Sequence, residues 1–188
     1  MNRRIAVFIS GRGSNLKSLF YASKNSVFPG SIELVISDNK SSLGLAFADE
    51  NKIKYELVDF NTFQNKNRFE DRIKNLISSK RIDLICLAGF MRILSAEFIE
   101  FFSGDILNIH PSLLPKYKGL NTHQRAINAK DKYAGCSVHY VTKEVDNGEI
   151  IIQKSLLIKA NDTAASLSAR VLELEHEIYP EALKKILS

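Results

Sequence analysis

Apolar positions in this chain fall into two alternating rhythms. Short continuous runs of strand length are separated by stretches in which apolar residues recur every three or four positions. Arg4 to Ser10 (RIAVFIS) is the first run, apolar on both faces, as a central strand covered on both sides requires. Ile32 to Ser37, Tyr55 to Asp59, Ile82 to Ala88 (IDLICLA) and Asp105 to Ile109 predict four more strands. The helical rhythm fills the gaps. It runs through LKSLFYASK with Leu16, Leu19 and Phe20 together, through Ser42 to Asn51, and through Phe63 to Ser79 with Phe69, Ile73, Leu76 and Ile77 opposite a charged face. A short helix capped by Ser95 ends near Phe101.

Strands alternating with helices predict an α/β fold: a doubly wound, mostly parallel twisted sheet with helices on both faces. After His110 the rhythm changes. Ser112 to Asn121 reads as a loop, Thr122 to Ala129 as a helix, and Cys136 to Val141 and Glu149 to Ile158 as strands joined through Val145-Asp146-Asn147-Gly148, a hairpin-type turn signal. Asp162 is expected to cap a C-terminal helix from Thr163 to Leu187, with Pro180 kinking or restarting it. No repeat or linker interrupts the chain, so residues 1–188 read as one domain.

Ligands of such sheets bind outside the carboxyl ends of the strands, and three chemically suggestive segments fall there. The first strand breaks into Gly11-Arg12-Gly13-Ser14-Asn15 and then a helix, an arrangement in which free N–H groups face an anion. Ser14 and Asn15 would serve equally well as plain helix caps. Leu16 stands where a dinucleotide fingerprint needs its third glycine, which favours a monophosphate over a pyrophosphate. The second segment is Gly89 to Leu94. The third is LNIHPSLLP, in which Asn108 and His110 are two apart and so share a strand face. A donor amide beside a titratable imidazole suits acyl transfer, which must stabilise an oxyanion and relocate a proton. Asp146 is either a turn residue or a carboxylate near His110 that favours the imidazolium. His123, His139 and His176 are weaker candidates, with His139 expected only to cover a sheet face. No pair of histidines has metal-ligand spacing, so no metal is expected.

Composition narrows the setting. With 188 residues, 45% hydrophobic and 25% charged, the chain has the make-up of an ordinary globular protein. It has no run of about eighteen apolar residues that would cross a membrane and no signal-peptide pattern, so a cytoplasmic protein is expected. Cys86 and Cys136 lie in apolar segments and read as two buried thiols. The net charge of +5 suits phosphorylated or carboxylated small molecules. The basic residues are scattered without interleaved aromatics, so nucleic acid is not expected.

Taken together and in order, ISGRGSNL, LAGFMRILS, LNIHPSLLPKYKG, GCSVHYVTKEVDNGEII and ARVLELEHEIYP resemble the glycinamide ribonucleotide formyltransferase family of purine synthesis over nearly the whole chain. The segments around His110 and Asp146 are shared by the wider family of 10-formyltetrahydrofolate-dependent enzymes, and the GRGSN turn is the discriminating piece. The resemblance implies a Rossmann-like formyltransferase fold, with residues 1–105 as the phosphate-substrate half and 106–188 as the folate-binding and catalytic half. It implies Asn108, His110 and Asp146 as the catalytic trio. Gly13, Ser14 and Asn15 would hold the phosphate of glycinamide ribonucleotide, and Glu175 its ribose. Met91, Arg92, Ile93 and Leu94, with Thr142, Lys143, Glu144 and Val145, would line the folate pocket. Lys66 falls where relatives often carry an arginine near the folate; it keeps the charge without the planar fork. Lys118 and Asn121 replace a proline and a histidine expected in that loop. The implied co-substrate is 10-formyltetrahydrofolate, without a metal, and the implied assembly a monomer or weak homodimer. A formyltransferase for another amine, a nicotinamide-dependent oxidoreductase and a non-catalytic binder of a phosphorylated metabolite are the competing readings.

Overall fold

The computed structural model describes residues 2–187. Its strands are β1 (Arg3–Ile9), β2 (Gly30–Ser37), β3 (Tyr55–Leu57), β4 (Leu84–Leu87), β5 (Asp105–His110), β6 (Tyr133–Tyr140) and β7 (Ile150–Leu157). They form one sheet in the order β3-β2-β1-β4-β5-β6-β7. β1 to β5 pair in parallel, while β6 runs antiparallel to β5 and β7 antiparallel to β6. The mostly parallel doubly wound sheet expected from the sequence is what the chain adopts.

The sheet is covered on both faces because its central strands are apolar on both. Along β1, Ile5, Val7 and Ile9 enter one buried cluster, while Ala6 and Phe8 enter the other. The first cluster packs under α1 (Ser14–Ser23), α2 (Leu43–Glu50) and α6 (Ala164–Leu187). The second packs under α3 (Lys66–Ser79) and α4 (Ala96–Phe101), where the Phe8 ring meets Phe90 and Phe98 edge-on at 5.5 and 6.5 Å. α5 (Thr122–Asn128) follows the loop after β5.

Several local expectations are corrected by hydrogen bonding. Ser14 and Asn15 do not cap α1; Gly13 does, at φ +72°, and a Cβ there would stand 2.7 Å from Gly44 Cα. Glycine is required at that point by both backbone conformation and space. β3 ends at Leu57 and α3 starts at Lys66, because Asp59 accepts from Asn61 N in a 3-10 turn and Asn65 accepts from Arg68 N as the true cap. The cap of α6 is Thr163, one residue beyond Asp162: Thr163 Oγ1 accepts from Ser166 N and Ser166 Oγ from Thr163 N, a reciprocal box. Pro180 lies inside a single helix assignment. It cannot donate to the carbonyl of His176, and Ser18 Oγ of α1 donates there instead at 2.5 Å. β6 starts at Tyr133, three residues earlier than expected, since its ladder with β7 begins at Tyr133 opposite Leu157. The connection after β6 is a loop across 141–149 whose left-handed residue is Asp146 (φ +50°), not a tight Asn-Gly turn.

α6 also anchors the region of interest. Tyr179, fully buried, directs its hydroxyl at the carbonyls of Leu87, the end of β4, and Leu107, in the middle of β5 (3.0 and 3.2 Å).

Candidate active site

β5 delivers Asn108 and His110 to the carboxyl rim on one face, as their spacing requires. Three loops rise around them: 89–94 after β4, 111–121 after β5, and 141–149 between β6 and β7. Together they enclose a cavity of about 550 Å³, of the size and character of a small-molecule site. Leu87, Phe90, Leu94, Ile99 and Val141 supply apolar wall, and Asn108, His110, His139 and Asp146 stand together at one side.

The contacts in that corner are specific. His110 is 5% exposed. Its Nε2 lies 2.9 Å from the Tyr117 carbonyl, which can only accept, so Nε2 carries a hydrogen. Its Nδ1 lies 3.3 Å from Asp146 Oδ2. Asp146 Oδ2 also accepts from Gly119 N at 2.8 Å, and Oδ1 is 3.4 Å from Asn108 Nδ2. Aspartate tolerates the left-handed backbone that turns this carboxylate inward.

Burial and partners compete for each proton. Burial lowers the His110 pKa below its ordinary value, although the Tyr117 carbonyl and Asp146 pull the other way. Asp146 favours the imidazolium, as expected of a neighbouring carboxylate, but desolvation is the larger effect. Burial would raise Asp146, but the adjacent His139 ring, the hydrogen bond from Gly119 N and the charge of His110 outweigh it and hold the carboxyl below its usual range. A neutral ring leaves two acceptors opposed at 3.3 Å, while a charged ring lacks hydration. Neither protonation state is deep, which suits a proton relay.

His139 was expected only to cover a sheet face. The structure puts it in the corner: 2% exposed, directly opposite Asn108 in the β5–β6 ladder, Nε2 3.3 Å from Asn108 Nδ2 and 3.6 Å from Asp146 Oδ1. Its Nδ1 donates to the Tyr140 carbonyl at 2.8 Å. No sequence signal could have found it, because the antiparallel register depends on the length and shape of a distant loop. His123 also lines the cavity.

The other sequence-predicted residues divide. Met91, Arg92, Ile93, Leu94, Thr142, Lys143, Glu144 and Val145 all line the cavity. Arg92, however, pairs with buried Asp38 at 2.7 Å and lies 4.1 Å over the Phe60 ring. Lys143 pairs with Glu100 on α4. Lys66 is not part of the lining; it stands at the start of α3, 3.7 Å from Glu70.

Gly13, Ser14, Asn15 and Glu175 form a second group outside that lining. The first intrahelical donor of α1 is Lys17, to the Gly13 carbonyl, so the N–H groups of Ser14, Asn15 and Leu16 have no partner within the helix. Asn15 Nδ2 donates to Glu175 Oε2 at 2.7 Å, while Asn15 Oδ1 is buried without a partner among the described residues. Burial with one compensating hydrogen bond pushes the Glu175 carboxyl up to about 7. Ser10 joins the two groups: its N–H donates to Gly89 O and its Oγ accepts from Met91 N, so the cavity loop is tied to the residue preceding the glycine turn.

Cys86 and Cys136 are buried free thiols pushed up to about 12 by desolvation, so neither is a nucleophile. Among the described residues no cluster of three or more His, Cys, Asp or Glu could hold a metal ion, and no helix is long and apolar enough to cross a membrane.

A rim-bound acyl-transfer corner on a doubly wound sheet is the class that comparison with known proteins also defines. The formyl transferase model matches residues 3–183, and the chain belongs to that family. Within it, the chain is 43% identical to phosphoribosylglycinamide formyltransferase of Haemophilus influenzae, over 97% of this chain and 86% of the relative. It is 41% identical to the human trifunctional purine biosynthetic protein adenosine-3 over 98% of its own length, but spans only 18% of that relative. The crystal structure of phosphoribosylglycinamide formyltransferase from Brucella melitensis superposes with a TM-score of 0.96 at 45% identity, covering 100% of this chain and 97% of the other. The nicotinamide-dependent alternative finds no support in these relatives.

Proposed function

We propose that this chain transfers the formyl group of 10-formyltetrahydrofolate to the glycyl amine of glycinamide ribonucleotide, a cytoplasmic step of de novo purine synthesis. The observation that carries this reading is the convergence of Asn108, His110 and Asp146 on one side of a largely apolar 550 Å³ cavity. The names of the relatives support the substrate pair. All three groups come from one chain, which supports action as a monomer or weak homodimer and a single domain.

The cavity fits the co-substrate. Its apolar walls, with polar residues such as Thr142 and Glu144 in the lining, suit a flat ring with a polar edge. Met91, Arg92, Ile93 and Leu94 would hold it from one side, and Thr142, Lys143, Glu144 and Val145 from the other. Lys66, already beside Glu70, would meet only an extended anionic portion. The bound folate supplies an electrophilic formyl carbon. Gly13, Ser14 and Asn15 would hold the phosphate of the amine substrate with the free N–H groups of α1. Its ribose hydroxyls would satisfy Glu175 and the unpartnered Asn15 Oδ1.

Holding both substrates in line supplies much of the acceleration. Asn108 Nδ2 would turn one N–H from its present neighbours toward the oxygen on which negative charge develops. His110 stabilises the same oxygen, takes up the proton that the glycyl amine loses as its C–N bond forms, and gives it up for the folate nitrogen whose bond to the formyl carbon breaks. Asp146 stabilises the imidazolium as it forms and directs the proton through Nδ1. No covalent enzyme intermediate is required.

The test is formyl transfer between these two substrates by the wild type and by Asp146→Asn. Turnover that falls by about 10²- to 10⁴-fold in the variant is expected. Wild-type protein that binds the phosphate substrate but transfers no formyl group would exclude the reading.

A further inference from the structure

We propose that Asp131, which lies outside the cavity, is a positioning residue for His110, acting through Tyr117. The inference rests on the catalytic reading of His110 given above.

The 111–121 loop meets the catalytic side chains through its backbone at two points. The Tyr117 carbonyl accepts from His110 Nε2, and Gly119 N donates to Asp146 Oδ2. The loop therefore sets which His110 nitrogen carries hydrogen and where the Asp146 carboxylate lies. Tyr117 holds its carbonyl there from a left-handed backbone, φ +57°. A bulky residue adopts that conformation only when its surroundings over-determine it.

The surroundings that do so are on the outer face. Tyr117 donates its hydroxyl hydrogen to Asp131 Oδ2 at 2.8 Å. The preceding residue, Lys116, directs its ammonium at both Asp131 oxygens, at 3.0 and 3.1 Å. The Arg125 guanidinium stands 5.1 Å over the Tyr117 ring and donates to the Lys118 carbonyl at 2.7 Å. Asp131 itself is fixed to the end of α5 by its N–H to the Ala126 carbonyl. One carboxylate, held by a helix, thus gathers two successive side chains of the loop. None of Asp131, Lys116, Tyr117 or Arg125 lines the cavity.

These outer contacts are solvent-facing, so they add little to global stability. Their consequence is local. The Tyr117 carbonyl is one of the groups that hold the His110 pKa up against burial, alongside Asp146, while His139 on β6 and Arg125 on α5 lower it; His123 on α5 also senses the charge of His110. Releasing Tyr117 removes one upward influence and leaves the others.

Asp131→Ala and Tyr117→Phe test this, with Asp131→Asn, which keeps an acceptor for the Tyr117 hydroxyl, as the conservative rescue. The His110 ring proton followed by NMR should titrate at lower pH in the first two variants and near the wild-type position in the third. Turnover should fall about ten- to a hundredfold with KM for the phosphate substrate held within about twofold, the pattern of a displaced catalytic group. Thermal midpoints should stay close to wild type. Unchanged His110 titration and turnover in a folded Tyr117→Phe variant would overturn the proposal, and that variant decides alone if Asp131→Ala does not fold. The titration needs no substrate. A His110 shift in the variants of a protein that transfers no formyl group would uphold the positioning and sink only the reaction.

Discussion

Asp146 and Glu175 are both buried carboxylates on the same chain, and they are displaced in opposite directions. Asp146 sits among donors: Gly119 N, the Asn108 amide and two histidine rings within 3.6 Å. Glu175 has a single amide hydrogen bond and no cation at ion-pair distance among the described residues. Burial opposes both charges; partners reverse the result at one and fail to at the other. A carboxylate's role therefore follows from its donors, not from its depth. The donor-rich corner keeps its charge. The donor-poor one keeps vacant hydrogen-bonding capacity, which suits neutral hydroxyl groups.

Removing the central imidazole of the first corner should have the largest effect. His110→Ala is expected to lower turnover by about 10²- to 10⁴-fold in a single-turnover formyl-transfer assay; retained turnover would mean that Asp146 acts without its ring partner.

Glu175→Gln probes the other side. A carboxyl raised from 4.5 to about 7 stabilises the folded state fully below the lower value and loses that stabilisation as pH rises through the upper one. Wild type should therefore lose about 3 kcal/mol relative to the variant between pH 4.5 and pH 8, read from urea unfolding at several pH values. Parallel profiles would show that burial does not govern Glu175.

Two smaller exchanges test the donors themselves. Asn15→Ala, by removing the hydrogen bond that Glu175 accepts from Asn15 Nδ2, should cost about 1–3 kcal/mol at high pH, where the acid is ionised, and much less at pH 5. His139→Phe should raise the Asp146 carboxyl and cost roughly 1 kcal/mol, seen as acid unfolding that begins at higher pH. Acid unfolding unchanged in that variant would show Gly119 N and His110 to be the sufficient partners.

The parallel half of the fold was legible because its signal is local. A strand buried on both faces must be apolar at every position, and β1 is so from Ile5 to Ile9 and β4 along its whole length. The ends of elements were less legible: Asn65 and Thr163 cap their helices, while Ser14 and Asn15, which have the right side chains, do not. Capping depends on which residue takes the non-helical turn before the helix, and the left-handed turn packed against Gly44 falls to Gly13.

The sequence by itself determined that Asn108 and His110 share a face, that a glycine turn opens a helix after β1, and that both reach one rim. Those facts follow from the two-residue period of a strand and from strand–turn–helix order. Only the tertiary structure decided that His139 stands opposite Asn108, that Asn15 meets Glu175 across 160 positions, and that burial outweighs Asp146 at His110. Ladder register and desolvation are sums over residues distant in the chain, and no local spacing encodes them.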